Sequence, residues 1–511
     1  MKVGKIYFVV ACAGLLLCSC KSTLTDYKQT DAYLAQLNKR TEALKNMILN
    51  TASDVHVKGT VYYVSAEGND AWNGLSTDKP FHSINKINTI SLRPGDAVLF
   101  RRGDLFRGGV IARQGVTYSA YGKGEKPKIY GSPCDAAKEG KWIATDIPNV
   151  YMFNRDLPND VGTLVFNQGE SCAFKVMMRR DLKTGRTTHI ETGEPFGSYR
   201  DLKRDMDFYH DYTGTKRIYL CSTKGNPSER FSSIELPEKK HIISVYADSV
   251  TIDNLCLKYG GAHGIGIGKQ NHITVTNCEI GWIGGSVQYD KPERTSPVRY
   301  GNGIELWGGG HHYTIDHCYV YQVYDAGVTH QYVPNDARDT TFITDVSYSN
   351  NVVERCTYSL EYFLSIPSDG DSAMFFMDNI AVKNNIFRYS GFGWGTQRPD
   401  KGSGSHVKSW EHYNKAFHFV IENNVFDRAR YDMLYISATK AEWLPKLQNN
   451  TYIQFENASL CRFGAKKTKP YVYDKSTSQT LKKVLGERGS RVFFLNQPLP
   501  APNPLNDYSL H

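Results

Sequence analysis

The sequence predicts an all-β protein wound as a parallel β-helix, and three observations carry that prediction. A short motif of small residue, apolar residue and variable residue recurs along the chain. It reads Gly264-Ile265-Gly266, Gly303-Ile304-Glu305, Gly327-Val328-Thr329, Ser359-Leu360-Glu361, Gly391-Phe392-Gly393 and Asp432-Met433-Leu434. A turn marker recurs with it at Asn254, Asn277, His317, Asn350, Asn384, Asn423 and Asn449, spaced by 23, 40, 33, 34, 39 and 26 residues. A coil of roughly 23 residues carrying insertions of variable length accounts for that series. Third, the units hold alternating, β-branched runs such as Ile273-Thr274-Val275-Thr276 and Tyr313-Thr314-Ile315-Asp316, and none holds a ten-residue helical period. In such a solenoid equivalent residues stack at about 4.8 Å per coil. Asn suits the recurring turn because it tolerates left-handed geometry, and its amide can bond the Asn of the next coil.

The 511 residues, 40% apolar and 22% charged, leave room for a large core. The formal charge of +9 falls to +7 once Lys2 and Lys5 leave with residues 1–19. A surplus of this size is compatible with an anionic ligand or with plain solubility. There is no basic recognition helix or nucleic-acid motif, so no nucleic-acid partner is expected.

Residues 1–19 read as a signal segment: Lys2 and Lys5 lead, and Ile6 to Leu17 is an apolar run too short to span a bilayer. It ends in Leu17-Cys18-Ser19-Cys20, which resembles the bacterial lipobox. The resemblance implies lipidation of Cys20 and an outer-membrane lipoprotein on the cell-surface or periplasmic face, held by acyl chains without a spanning helix. Residues 20–58 are the tether. Within it Asp31 to Asn50 places Leu34, Leu37, Leu44, Met47 and Ile48 at helical spacing, with Asp31 as the cap. Residues 59–132 open the β structure. Tyr62-Tyr63-Val64-Ser65, Gly68-Asn69-Asp70, Asn73-Gly74 and Pro94-Gly95-Asp96-Ala97-Val98 resemble the N-terminal entry of secreted right-handed β-helix proteins. Residues 133–240 break the repeat with strand-like runs between polar turns, which predicts a small inserted β-rich module. Coils fill 241–460, and 461–511 hold a few strands and a Pro-rich tail. Cys278 and Cys318 occupy one position in successive coils and are expected as buried thiols; no Cys/His spacing predicts zinc, and no metal site is assigned.

The site is sought on the strand face opposite the apolar column, since alternate residues of a strand face opposite sides. That outward column reads Gly266, Glu305, Thr329, Glu361, Gly393 and Leu434. Glu305 and Glu361 stand two coils apart, about 9.6 Å between equivalent backbone atoms, near the ~6.5–9.5 Å of an inverting acid/base pair. The chain from small residue to next Asn marker lengthens from 13 and 14 residues to 23, 25 and 32 in the coils of Gly327, Ser359 and Gly391. Another insertion, about Ser286 to Tyr300, lies on the other side of the column, so loops wall a groove. These loops and the strands beside them supply Arg299, Tyr300, Trp307, Thr329, Gln331, Trp394 and Trp410 as candidate substrate contacts. Aromatic faces stack on sugar rings and Arg pairs with carboxylate or sulfate.

Coils, lipobox and walled groove together resemble the right-handed parallel β-helix (pectate-lyase-like) superfamily of polysaccharide-active enzymes, over about residues 59–460. The polygalacturonase Asn-Thr-Asp and Gly-His-Gly are both missing here, and Asp369-Gly370-Asp371 is the only echo of a lyase calcium site. The resemblance implies a polysaccharide or oligosaccharide partner and a monomer. Three readings follow. In a glycoside hydrolase Glu305 and Glu361 are acid and base, assisted by Asp325 or His330. In a polysaccharide lyase, with calcium as a possible cofactor, the candidates are His330, His406, Tyr300 and Arg299. The third is a non-catalytic glycan-binding surface protein.

Overall fold

The computed structural model describes residues 7–333, 340–364, 374–399, 402–409, 414–438, 440–463 and 469–505, with side chains from Tyr27 onward. Its body is a right-handed parallel β-helix of three ten-stranded sheets. One, the site sheet, includes Ile243–Val245, Ile265–Ile267, Ile304–Trp307, Ala326–Tyr332, Tyr358–Leu364, Ser405–Ser409, Leu434–Ile436 and Ser459–Phe463. A second, the helix-covered sheet, runs from Leu105–Arg107 to Arg491–Leu495. The third, the bulged sheet, includes Ile273–Thr276, Gly310–Asp316, Phe342–Ser349, Phe376–Lys383 and Ala416–Glu422.

The apolar column stacks inside as expected for Ile265, Ile304, Val328 and Leu360, in parallel register and fully buried. Each such aliphatic side chain contributes about 1.5–3 kcal/mol by leaving water. The next two rungs differ from the expectation. Val407 and Leu434 continue the column, in place of Phe392 and Met433. The chain leaves the helix-covered sheet after Ser390 and joins the site sheet only at Ser405, so Gly391-Phe392-Gly393 imitates a strand motif inside an insertion. Phe392 instead joins Leu37, Ile386, Val425 and Phe455 in a separate cluster.

Every marker residue adopts the left-handed turn, with φ of 61°, 51°, 48°, 55°, 60°, 58° and 56° from Asn254 to Asn449. The amide ladder, however, belongs to the residue after the marker. Asn351, Asn385, Asn424 and Asn450 bond side chain to side chain at 3.0, 2.9 and 3.1 Å. A left-handed residue turns its own side chain outward, and the one that follows points into the core, where an unpaired amide would be costly. Cys278 and Cys318 take that inner position in earlier coils as buried free thiols.

The N-terminal helix runs from Tyr7 to Asn50, longer than expected, so Asp31 lies inside it and caps nothing. Leu34, Leu37 and Leu44 pack against the helix-covered sheet, Tyr33 stacks on Phe493 at 4.3 Å and Lys45 pairs with Glu354 at 2.6 Å. Ile48 is buried, but Met47 faces solvent. Between Lys128–Tyr130 and Ile243–Val245 the chain forms the inserted module, whose antiparallel strands surround Phe153, Leu164, Phe166, Phe208 and Leu220. Trp282, Tyr324 and Trp394 of the coils pack with Val165 and Cys172 of the module in one cluster. At the C-terminal end the helix Thr477–Leu485, not foreseen from the sequence, lays Leu481 and Leu485 over the last coil.

Candidate active site

The register of the site sheet aligns one outward row: Gly266, Glu305, Thr329, Glu361, Lys408, Tyr435 and Arg462. Glu305 and Glu361 are therefore two rungs apart with Thr329 between them, as the spacing predicts. Beyond Glu361 the row changes. Lys408 and Tyr435 stand where Gly393 and Leu434 were expected, because the long insertion shifts the strand to Ser405–Ser409. The row thus passes from carboxylate to cation, and the Lys408 ammonium is 3.9 Å from Glu361.

Glu305 sits in a small hydrogen-bonded nest. Gln331 and Asn302 donate to its Oε1 at 2.9 and 3.2 Å, and His263 Nε2 lies 2.6 Å from Oε2. The Asn302 backbone N–H donates to His263 Nδ1 at 2.9 Å, which leaves the ring proton on Nε2, aimed at Glu305. Both ring nitrogens are thereby committed, so His263 orients the carboxylate and is not free to take a substrate proton. Burial pushes the Glu305 carboxyl up, but the His263 ring against it and the hydrogen bonds from His263 and Gln331 outweigh that and hold the group below the ordinary carboxyl value. His241 stacks on His263 at 4.9 Å, and burial beside that ring holds it down at about 4. His241, Tyr300, Lys239, Lys240 and Ser244 line a surface depression of about 390 Å³ next to Glu305.

Among the described residues, Thr329 Oγ1, between the two carboxylates, and Gln331 Oε1, beside Glu305, are buried without a hydrogen-bond partner. Leaving such atoms unpaired costs about 1–3 kcal/mol each. Trp307, 38% exposed, stands two residues beyond Glu305, with the Tyr332 and Phe363 rings nearly perpendicular to its own at 5.8 and 6.4 Å between centroids. Its side chain lies on the same side of the sheet as Glu305.

Other sequence-derived candidates are placed elsewhere. His330 points into the core between Tyr348 and Tyr362, fully buried, and burial holds its pKa down at about 3; no substrate reaches it. His406 is likewise buried at about 3, with Nδ1 toward Ser359 and Ser390. Arg299 is no groove cation. Its guanidinium is buried over Tyr324, donating to Gly285 O and Gly162 O at 2.6 and 2.9 Å, where it fastens module to coils. Trp394 is fully buried in that same junction rather than lining the groove. Asp325 pairs with Arg398 at 2.7 Å at the entry of its strand, four residues and so about 13 Å back from Thr329. Tyr300 borders the depression, but burial raises its hydroxyl to about 12, an unsuitable base near neutrality. Trp410, Asp369 and Asp371 lie outside the described residues, as does the side chain of Cys20.

The residues that the sequence reading missed are His241, His263, Asn302 and Lys408. His241 and His263 are separated by one coil length, and His263 and Asn302 both immediately precede the small-residue column. That column carried a signal which the outward face alone did not reveal. Among the described residues the donors able to converge on a metal are His272, His311 and His312, on the bulged sheet rather than in this row.

No protein-family model matches the chain. An 81-residue stretch is 40% identical to a lacto-N-biosidase of Bifidobacterium longum subsp. longum, covering 14% of this chain and 5% of that enzyme. In fold, the chain is similar to a solved glycoside hydrolase, with TM-score 0.46, 9% identity and coverage of 85% of this chain and 96% of that one. It is also similar to XylC in complex with xylose, with TM-score 0.43, 15% identity and coverage of 79% and 70%.

Proposed function

We propose that the protein is a carbohydrate-active enzyme, a glycoside hydrolase that cleaves a complex glycan across the outward row, with Glu305 and Glu361 as its carboxylate pair. The observation that supports it is the Glu305–Thr329–Glu361 alignment, two carboxylates on one strand face with a threonine between them. Of the pair, Glu305, held ionised, suits the base role of activating water. Two rungs at ~4.8 Å match an inverting separation better than the ~5 Å of a retaining one. The short likeness to a lacto-N-biosidase supports the hydrolase side of this reading.

A second reading, β-elimination, is favoured by Lys408 and Arg462 with Tyr435 between them on the same row, cations suited to a uronate carboxylate. Calcium enters only in that reading. We further propose, from the lipobox, that acylated Cys20 holds the protein, a monomer, on the outer membrane; among the described residues no helix is long and apolar enough to cross a membrane. The deciding experiment incubates the protein with a panel of neutral and acidic glycans. New reducing ends without ultraviolet absorbance are expected; absorbance from a new carbon–carbon double bond would establish the lyase, and neither signal a binding protein. Retained turnover in both Glu305→Gln and Glu361→Gln would end the carboxylate-pair assignment.

A further inference from the structure

The bulged sheet carries a second column of left-handed residues, separate from the turn markers. His272, His312, Asp345, Asn379 and His418 have φ of 57°, 61°, 55°, 54° and 46° and lie opposite one another on successive strands. Left-handed geometry is uncommon for residues other than Gly, and in a strand each such residue interrupts the pleat and turns its side chain outward. Here the interruption gathers His272 from one coil with His311 and His312 from the next.

One ring nitrogen of each histidine lies within 4.8 Å of the others. The rings stand 4.7–5.0 Å apart between centroids. Asp345, one coil further on, brings Oδ2 to 3.6 Å from His312 Nδ1. The backbone beneath is fixed. Asp248 accepts from the Asn271 N–H at 2.9 Å, Asn271 Oδ1 accepts from the His311 N–H at 3.1 Å, and the His272 N–H donates to His311 O at 2.9 Å. Apart from the Asp345 approach, none of the three imidazoles has a hydrogen-bond partner among the described residues. Three polar rings turned toward one another and left unbonded are what a cation would organise.

We propose that His272, His311 and His312, with Asp345 as fourth donor, bind a borderline divalent transition metal of the zinc class, stapling successive coils. The donor set decides the class. Three imidazoles and a carboxylate suit Zn²⁺ and its first-row neighbours, whereas Ca²⁺ and Mg²⁺ prefer oxygen donors. Tetrahedral Zn–N bonds of ~2.1 Å place ligand atoms ~3.4 Å apart, so the three nitrogens need close by little more than an ångström, within the rotamer freedom of exposed side chains. The site lies on a different sheet from Glu305 and stands whether or not the glycosidase reading does.

The test is calorimetric titration of the EDTA-stripped full chain with Zn²⁺ and, separately, with Ca²⁺. One equivalent of Zn²⁺ should bind with a rise in Tm, and Ca²⁺ should give no heat. His272→Asn and His312→Asn keep a residue that tolerates the left-handed turn, so the fold should survive. Each should weaken Zn²⁺ binding by at least ~100-fold, because even outer-shell losses cost 10–100-fold in metal sites. His418→Asn, further along the same column, should bind as the parent does. Absence of saturable Zn²⁺ binding, undiminished affinity in both variants, or an equal response to Ca²⁺ would each overturn the proposal.

Discussion

Replacing Glu305 or Glu361 tests chemistry and stability together, because neither carboxylate is freely solvated. If they are base and acid, Glu305→Gln and Glu361→Gln should each lower turnover by at least ~10²-fold, and the double variant by much less than the product, since both act in one step. Strand alternation alone predicts both exposed and their replacement nearly neutral for folding. The structure corrects this: Glu361 is 3% exposed, and Glu305 has His263, Gln331 and Asn302 as partners. A loss of about 1.5–3 kcal/mol is therefore expected in thermal unfolding of Glu305→Gln, the scale for hydrogen bonds to a charged group.

The pH dependence follows from the same contacts. Glu305 is held below the ordinary carboxyl value of 4.5, so the folded state binds its proton less readily than the unfolded one. Its contribution to stability is present above that unfolded value and is lost as pH falls through the lower folded value. The Tm gap between parent and Glu305→Gln should be widest near neutrality and should narrow below the ordinary carboxyl range; a gap that stays constant on acidification would contradict the assigned contacts.

At the scale of a single coil, adjacent asparagines have opposite tasks. Asn384 supplies a left-handed turn with φ 60°, while Asn385 is buried, donating to Asn424 Oδ1 and Tyr348 O and accepting from Asn351. Asn384→Gly should leave stability almost unchanged, whereas Asn384→Val should cost about 1–2 kcal/mol from the Cβ clash of that turn. Asn385→Ala should cost more, about 3 kcal/mol, since several buried groups lose their partner at once. Chemical denaturation of the three variants measures the ranking, and equal costs for both Asn positions would remove the distinction between turn and ladder.

For the whole molecule, the insertions decide what the solenoid becomes. Arg299 and Trp394 are spent on fastening the module to the coils. The module's exit in turn brings Lys239 and Lys240 to the depression beside Glu305. Under the proposed lipidation of Cys20, Cys20→Ala should move the protein from the membrane to the soluble fraction with unchanged Tm, since acyl chains rather than an apolar span would supply the anchor. A variant that stays with the membrane would exclude the lipid as the anchor.

The sequence by itself determined the repeat, the inward column through Leu360, the left-handed turns and the Glu305–Glu361 alignment. Each of these is set by a local periodicity: alternate residues of a strand face opposite sides, and a turn geometry admits few residue types. What the tertiary structure decided depends on how far a coil is lengthened and on what lies across it. The insertion from 391 to 404 moved the strand to Ser405, exchanging Phe392 for Val407 and Gly393 for Lys408. The same local chemistry allows His330 or Arg299 to serve a groove, and only packing shows one inside the core and the other beneath the module. His263 came to Glu305, and His272 to His311 and His312, because the solenoid stacks residues a full coil apart in sequence at a separation of about 4.8 Å; which side chains then meet is fixed by register, and insertions hide register from the sequence.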